Sequence, residues 1–277
     1  MRDALRLALA KLPKSVRLRA ENAIAGFERA TTLLSIDREM ASFRAITAEE
    51  EATAALFRAL QLQSYPGSEH LNLGNHRHKA ALGPFIQAVK VTMSHGQTRN
   101  LRMTLDWSQP SLEISIPLSE VGVAFEGSEN LQITLVEPLG ILGRRGDSHP
   151  AEFFDKSMQD VADAAKSNSI AKLIAKEANA RNRLLYASDT AMPESKVTKE
   201  TIEARRNRAD IALFLCIAVL QTPNHQALAK QSLEAFLKIV GKPAENPSHF
   251  DEPSAEVTIA VQAEGPSEVR FDKRKPV

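Results

Sequence analysis

Two adjacent arginines, Arg144 and Arg145, stand between Gly143 and Gly146, and His149 follows three residues later. These residue types together can hold an oxyanion. A guanidinium fork meets two oxygens of a phosphate or carboxylate at once. Glycines let successive backbone N–H groups converge on one point. An imidazole can carry a proton near neutral pH. The stretch follows an alternating run, Leu131 to Val136, and precedes Pro150, which suits the first turn of a helix. A helix N-terminus there would add partial positive charge. It is not a Walker loop, because no Gly-Lys-Ser/Thr follows. Nor is it a dinucleotide fingerprint, because Gly140, Gly143 and Gly146 recur every third residue. Gly143, Arg144, Arg145 and Gly146 are therefore the candidate ligand-binding residues, and His149 the candidate catalytic one.

Two further groups carry potential chemistry. His70, His76 and His78 fall within nine residues and are the candidate metal ligands. If His76 and His78 share a helix they point to nearly opposite sides, which weakens that reading. The chain has no HExxH and no Glu-x-x-His element, so no metal or other cofactor is expected. Arg181, Arg183, Arg205, Arg206 and Arg208 make two late segments basic and form a candidate nucleic-acid face. Solvated helix faces paired with Glu177, Glu203 and Asp210 are the plainer reading. Cys216, the only cysteine, sits in the apolar run Leu213–Ala218 and reads as an inert core residue. One cysteine also excludes an internal disulfide and points to a reducing compartment, the cytoplasm.

Global composition is ordinary, with 43% hydrophobic and 25% charged residues and a formal net charge of +1. No overall field drives the chain onto nucleic acid or anionic lipid. The longest apolar run, Ile211 to Leu220, falls well short of the roughly 20 residues that cross a bilayer. The amphipathic N-terminus, with Leu5, Leu9, Leu12 and Val16 beside Arg2, Arg6 and Lys11, reads as a first helix docked on the core.

The elements that must position these residues change period twice. Residues 1–95 read as helical. A long helix is expected from about Ser15 to Ala45, then a new start at the capping box Thr47-Ala48-Glu49-Glu50. Asn75 is the expected N-cap of a helix that Gly83-Pro84 interrupts. Between about 98 and 137 the period becomes 2. Leu101, Met103, Leu105 and Trp107, then Leu112, Ile114 and Ile116, then Leu131, Ile133 and Leu135 predict an antiparallel meander with one apolar face. Helices resume over 150–241, with breaks at Ser167–Ser169 and Met192–Ser195, a start at Thr198 and another at Thr222-Pro223. Gly241 and Pro243 stop the last helix.

The fold class is therefore α+β and predominantly helical. A single globular domain is expected over 1–242, with a small β-meander inserted between two helical segments. The acidic, proline-containing tail 243–277 is expected to be mobile, although Val257, Ile259 and Val261 alternate as an added strand would. The function expected is non-enzymatic binding of another macromolecule, either a second protein or a further copy of the chain, with nucleic acid also open. The alternative is an enzyme, such as a nuclease, that acts on a phosphate-bearing substrate through Arg144, Arg145 and His149.

Overall fold

The computed structural model describes residues 2–95, 102–106, 109–117, 131–135, 137–141, 149–187, 195–242 and 257–261. Among these the chain forms eight α-helices and a small antiparallel sheet, three of whose strands lie between the fourth and fifth helices. The helices are α1 (Arg2–Leu9), α2 (Lys14–Leu33), α3 (Arg38–Leu62), α4 (His76–His95), α5 (Asp155–Ala164), α6 (Ile170–Leu185), α7 (Lys199–Leu220) and α8 (Ala227–Ile239). The strands are β1 (Arg102–Asp106), β2 (Ser111–Pro117), β3 (Leu131–Leu135) and β4 (Val257–Val261). None of the described helices is long and apolar enough to cross a membrane.

Helices α2 and α3 pack along a seam of small side chains. Ala20, Ala23, Gly26 and Ala30 of α2 are buried, as are Ala41, Ala45, Ala48, Ala52, Ala55 and Ala59 of α3. The three- and four-residue spacing puts each set on one helix face. Small residues there let the two backbones approach closely. Helix α7 lies against both, with Ala209, Ala212, Leu213, Cys216 and Ile217 buried. Around the far end of this core, Phe57, Phe85, Phe154 and Phe236 meet at ring centroid distances of 5.6 Å and tie α3, α4 and α8 together.

Four sequence expectations fail here. The expected helix over 15–45 ends at Leu33, and α3 starts at Arg38, where the Asp37 carboxylate accepts the Met40 N–H at 2.8 Å. Thr47 is then mid-helix, and its hydroxyl donates to the Arg44 carbonyl. The capping-box pattern is thus a coincidence of residue types, and Glu49 and Glu50 are free to serve elsewhere. Helix α4 also runs unbroken through Gly83 and Pro84. Other punctuation holds. Asn75 Oδ1 accepts from the Arg77 and His78 N–H groups, Ser169 caps α6 and Thr198 caps α7. The last helix begins at Ala227, later than Thr222-Pro223 implies.

In the sheet, Leu105 pairs with Leu112, Ile114 with Leu135 and Ile116 with Ile133. Leu105, Leu112, Ile116 and Leu135 are buried, whereas Ile114 is half-buried. Ser115, on the opposite face, is also buried and shares a hydrogen bond with Thr134. Leu101 and Trp107 lie outside the described residues. Leu105 and Leu112 join the helical core, and one polar side chain adds a link to the end of α7. Gln221 accepts from the Leu112 N–H at 2.6 Å and donates to its carbonyl at 3.0 Å, as a neighbouring strand would. The alternating tail segment becomes β4, antiparallel to β3. The rest of 243–277 lies outside the described residues.

The α2–α3 seam makes a direct prediction. A Cβ on Gly26 would lie 2.8 Å from the Ala48 Cβ. Alanine normally favours a helix by roughly 1 kcal/mol over glycine, yet overpacking costs about 1–3 kcal/mol. Gly26→Ala should therefore lower the midpoint of thermal unfolding. A rise in that midpoint would show that the seam has room to spare.

Candidate functional site

Glu49 and Glu50 are consecutive on α3 and therefore project about 100° apart. Each reaches a different neighbour. The Glu49 carboxylate faces α7. It accepts from Arg208 Nε at 2.6 Å and Nη2 at 3.2 Å, and from Arg205 Nη1 at 2.6 Å. Arg205 also donates to Glu177 of α6 at 3.1 Å. Burial pulls the Arg205 guanidinium down, but Glu49 and Glu177 together outweigh it, and the group stays above the ordinary arginine value. Gly83 of α4 leaves the space for this pair. A Cβ there would stand 3.0 Å from Glu49 Oε1 and 3.2 Å from Arg208 Nε.

The Glu50 carboxylate faces α4 and α6. His76 Nδ1 lies at 2.9 Å, Lys79 Nζ at 3.3 Å and Arg181 Nη1 at 3.8 Å. The Glu50 and Lys79 side chains are more than nine-tenths buried, while His76 is half exposed. Arg181 Nη1 also lies 3.0 Å from His76 Nε2, and its guanidinium covers the Phe43 ring at 5.2 Å. The same Arg181 nitrogen lies 3.2 Å from His76 Nδ1, so the guanidinium sits against the edge of the imidazole. The eight side chains Glu49, Glu50, His76, Lys79, Glu177, Arg181, Arg205 and Arg208 form two adjoining clusters in one polar layer between α3, α4, α6 and α7.

A second charged group surrounds a cavity of about 200 Å³ between α1, α2 and α7. Arg2 reaches Glu203 at 2.7 Å and Asp210 at 3.5 Å, and Arg206 reaches Glu203 at 3.1 Å. Arg6 pairs with Glu28. Arg206 also covers the Phe27 ring at 5.8 Å. Burial pushes the Asp210 carboxyl above the usual aspartate range, and Arg2 and Arg206 bring it back only in part.

The sequence-derived candidates fall into these arrangements unevenly. Gly143, Arg144, Arg145 and Gly146 lie outside the described residues. Their flanks are anchored. Leu139 donates its N–H to Gln226 Oε1 and accepts from the Leu228 N–H, and Gln226 also donates to the Ala218 carbonyl. His149 is exposed, with Nδ1 at 3.9 Å from Glu234 Oε1. Its neighbour Pro150 accepts a hydrogen bond from Gln231. Arg181, Arg205, Arg206 and Arg208 are turned onto carboxylates of the same chain, and Arg183 donates to the Lys176 carbonyl. The three histidines part company. His70 is beside Glu69, His76 beside Glu50, and His78 is buried with Nδ1 accepting the Asn72 N–H. Burial, then Lys242 and Arg77, hold the His78 pKa below the usual histidine value. Among the described residues no three His, Cys, Asp or Glu side chains are grouped as a metal site would require. Cys216 is buried, and burial pushes its thiol far above the usual range.

One surface stands apart from the charged layers. A shallow groove joins the α2–α3 turn to the end of α6, lined by Leu34, Ile36, Met40, Leu184 and Leu185. Ile36 is 77% exposed and Tyr186, the residue after Leu185, is 68% exposed. Comparison of the chain with models of known families, with curated proteins and with solved structures finds no match.

The two charged groups lend themselves to different tests, one mutational and one by pH. Glu49→Ala leaves two largely buried arginines without their shared partner and should cost about 3–5 kcal/mol in urea unfolding. A loss as small as that of Glu21→Ala on the exposed face of α2 would contradict the arrangement. The raised Asp210 pKa means that its contribution to stability is complete below the ordinary aspartate range and is lost as pH rises through the folded value. Asp210→Asn removes that loss, so its stability relative to the parent chain should improve between about pH 3 and pH 7. Urea midpoints that move in parallel across this range would contradict it.

Proposed function

We propose that the chain is a non-enzymatic binding protein that docks a protein partner on the corner formed by the α2–α3 turn and the end of α6. The observation that carries this reading is the gathering of exposed apolar side chains. Eight large apolar side chains are exposed among the described residues, and Ile36, Met40, Leu185 and Tyr186 are four of them. Single exposed apolar residues are ordinary, but a contiguous group rimmed by polar side chains marks an interaction surface. Asp37, Arg38 and Glu39 supply such a rim. Apolar anchors within a polar border are the usual arrangement of a protein-binding face. The inward-facing arginines favour this reading over a phosphate-tracking one, since Arg205, Arg206 and Arg208 already donate to carboxylates.

The test places a photoreactive benzophenone side chain at position 36 of the full chain in cells. A discrete adduct with a second polypeptide is expected. Leu185→Asp should abolish it, and the same probe at exposed Glu21 should not produce it. No adduct from position 36, or one indifferent to Leu185→Asp, would overturn the proposal.

A further inference from the structure

We infer that His76 is a pH switch that frees the last turn of α6 on acidification, and with it one wall of the apolar corner. The effect on docking rests on the binding reading; the release of α6 does not. The switch is a competition for one oxygen. His76 Nδ1, Lys79 Nζ and Arg181 Nη1 converge on Glu50 Oε2 at 2.9, 3.3 and 3.8 Å. Lys79 and Arg181 already bring two positive charges to a single carboxylate. Histidine is the side chain whose charge changes between about pH 5 and pH 8. A protonated His76 is a third cation on that oxygen, 3.0 to 3.2 Å from the Arg181 nitrogen, and like charges so close repel. The neighbouring charges are engaged elsewhere. Glu49 holds Arg205 and Arg208, and Glu177, one turn before Arg181, holds Arg205. On α4 itself Arg77 is exposed and His78 accepts the Asn72 N–H. Among the described residues His76 belongs to no metal-binding group.

Arg181 is the cation that yields. Lys79 is buried and stands three residues from His76 on the same face of α4. Arg181 makes the longest contact, comes from another helix, and has a side chain 29% exposed. Its departure also uncovers the Phe43 ring. The first half of α6 is well anchored, by buried Leu173 and Ile174 and by the Glu177–Arg205 pair. The last turn is not. Arg181 and Leu184 are half-buried there, whereas Asn182, Arg183, Leu185 and Tyr186 are exposed. Arg181 is thus the polar tether of this turn. Leu184 and Leu185 of the groove follow three and four residues later, and Met40, on its other side, precedes Phe43 by three. The Arg181–Phe43 contact therefore lies one helical turn in from the groove on both helices.

Amide hydrogen exchange of the full chain reads the switch at about pH 7.5 and about pH 5.5, with the intrinsic pH dependence of exchange divided out. Protection of the Leu184, Leu185 and Tyr186 N–H groups should fall about tenfold on acidification. Protection of Phe236 and Leu237 in α8 should not change. His76→Gln cannot become charged and should keep the turn protected at both pH values. His76→Lys is charged at both and should free the turn at both.

Protection that ignores pH in the parent chain overturns the inference. So does a fall that persists in His76→Gln, a turn that stays protected in His76→Lys, or a loss shared by α8. The adduct from position 36 should weaken at the lower pH in the parent chain and not in His76→Gln. An adduct that behaves alike in both chains overturns the link to docking. If that probe yields no adduct at any pH, the binding reading fails and the exchange result alone decides the switch.

Discussion

A carboxylate buried between helices must be matched, and Glu49 sets the terms for much of this structure. Its two oxygens take three N–H groups from Arg205 and Arg208. Arg205 in turn draws in Glu177, which brings α6 to the same layer. Gly83 keeps α4 close without displacing the pair. Glu50, one residue on, repeats the arrangement with His76, Lys79 and Arg181. An uncompensated charge in this position would cost several kcal/mol, so four helices are held to one relative placement. Apolar packing alone tolerates more slippage, because an alanine seam resembles itself every three or four residues.

This constraint also decides what the surface can offer. Arginines that would read as an outward basic stripe are turned inward as partners. The cation of Arg181 is further occupied by the Phe43 ring. What the helices leave outside is the apolar corner at the α2–α3 turn, close to the outer end of the same α3–α6 contact. The charged layer holds α3 and α6 in register, and their ends present Ile36, Met40, Leu184 and Leu185 as one groove. The sheet joins the helical core through Leu105 and Leu112, and the Gln221 amide replaces a strand partner for Leu112.

Much of the architecture was legible in the residues. The change of period from 3.6 to 2 locates β1, β2 and β3, and Asn75, Ser169, Thr198 and Gly241 mark element ends. These signals are local, and local chemistry writes them. The break at Leu34–Asp37 was missed because the apolar spacing of α2 and α3 continues nearly in phase across it. Asp37 was the available sign, a short acidic side chain three residues before Met40. The charged layer was missed for a deeper reason. Glu49 and Glu50 match a capping box, and their true partners lie more than twenty residues away, most of them far more. A carboxylate says nothing in sequence about whether it is solvated. Two glutamates within an alanine-rich helix face, Ala45, Ala48, Ala52 and Ala55, were the one indication that this stretch is enclosed. The exposed corner was equally silent, since Ile36 and Leu185 look like core residues until their neighbours are placed.

A double-mutant cycle on Glu49 and Arg205 tests the organising role of the buried layer most directly. Urea unfolding of the parent chain, Glu49→Ala, Arg205→Ala and the double variant gives the coupling between the two side chains. If the pair ties α3 to α7, each single substitution is strongly destabilising and the double variant loses less than the sum, by about 1–3 kcal/mol. Losses that add to within about 0.5 kcal/mol would show that the two residues act independently, and that the helices are held in register by their apolar seams alone.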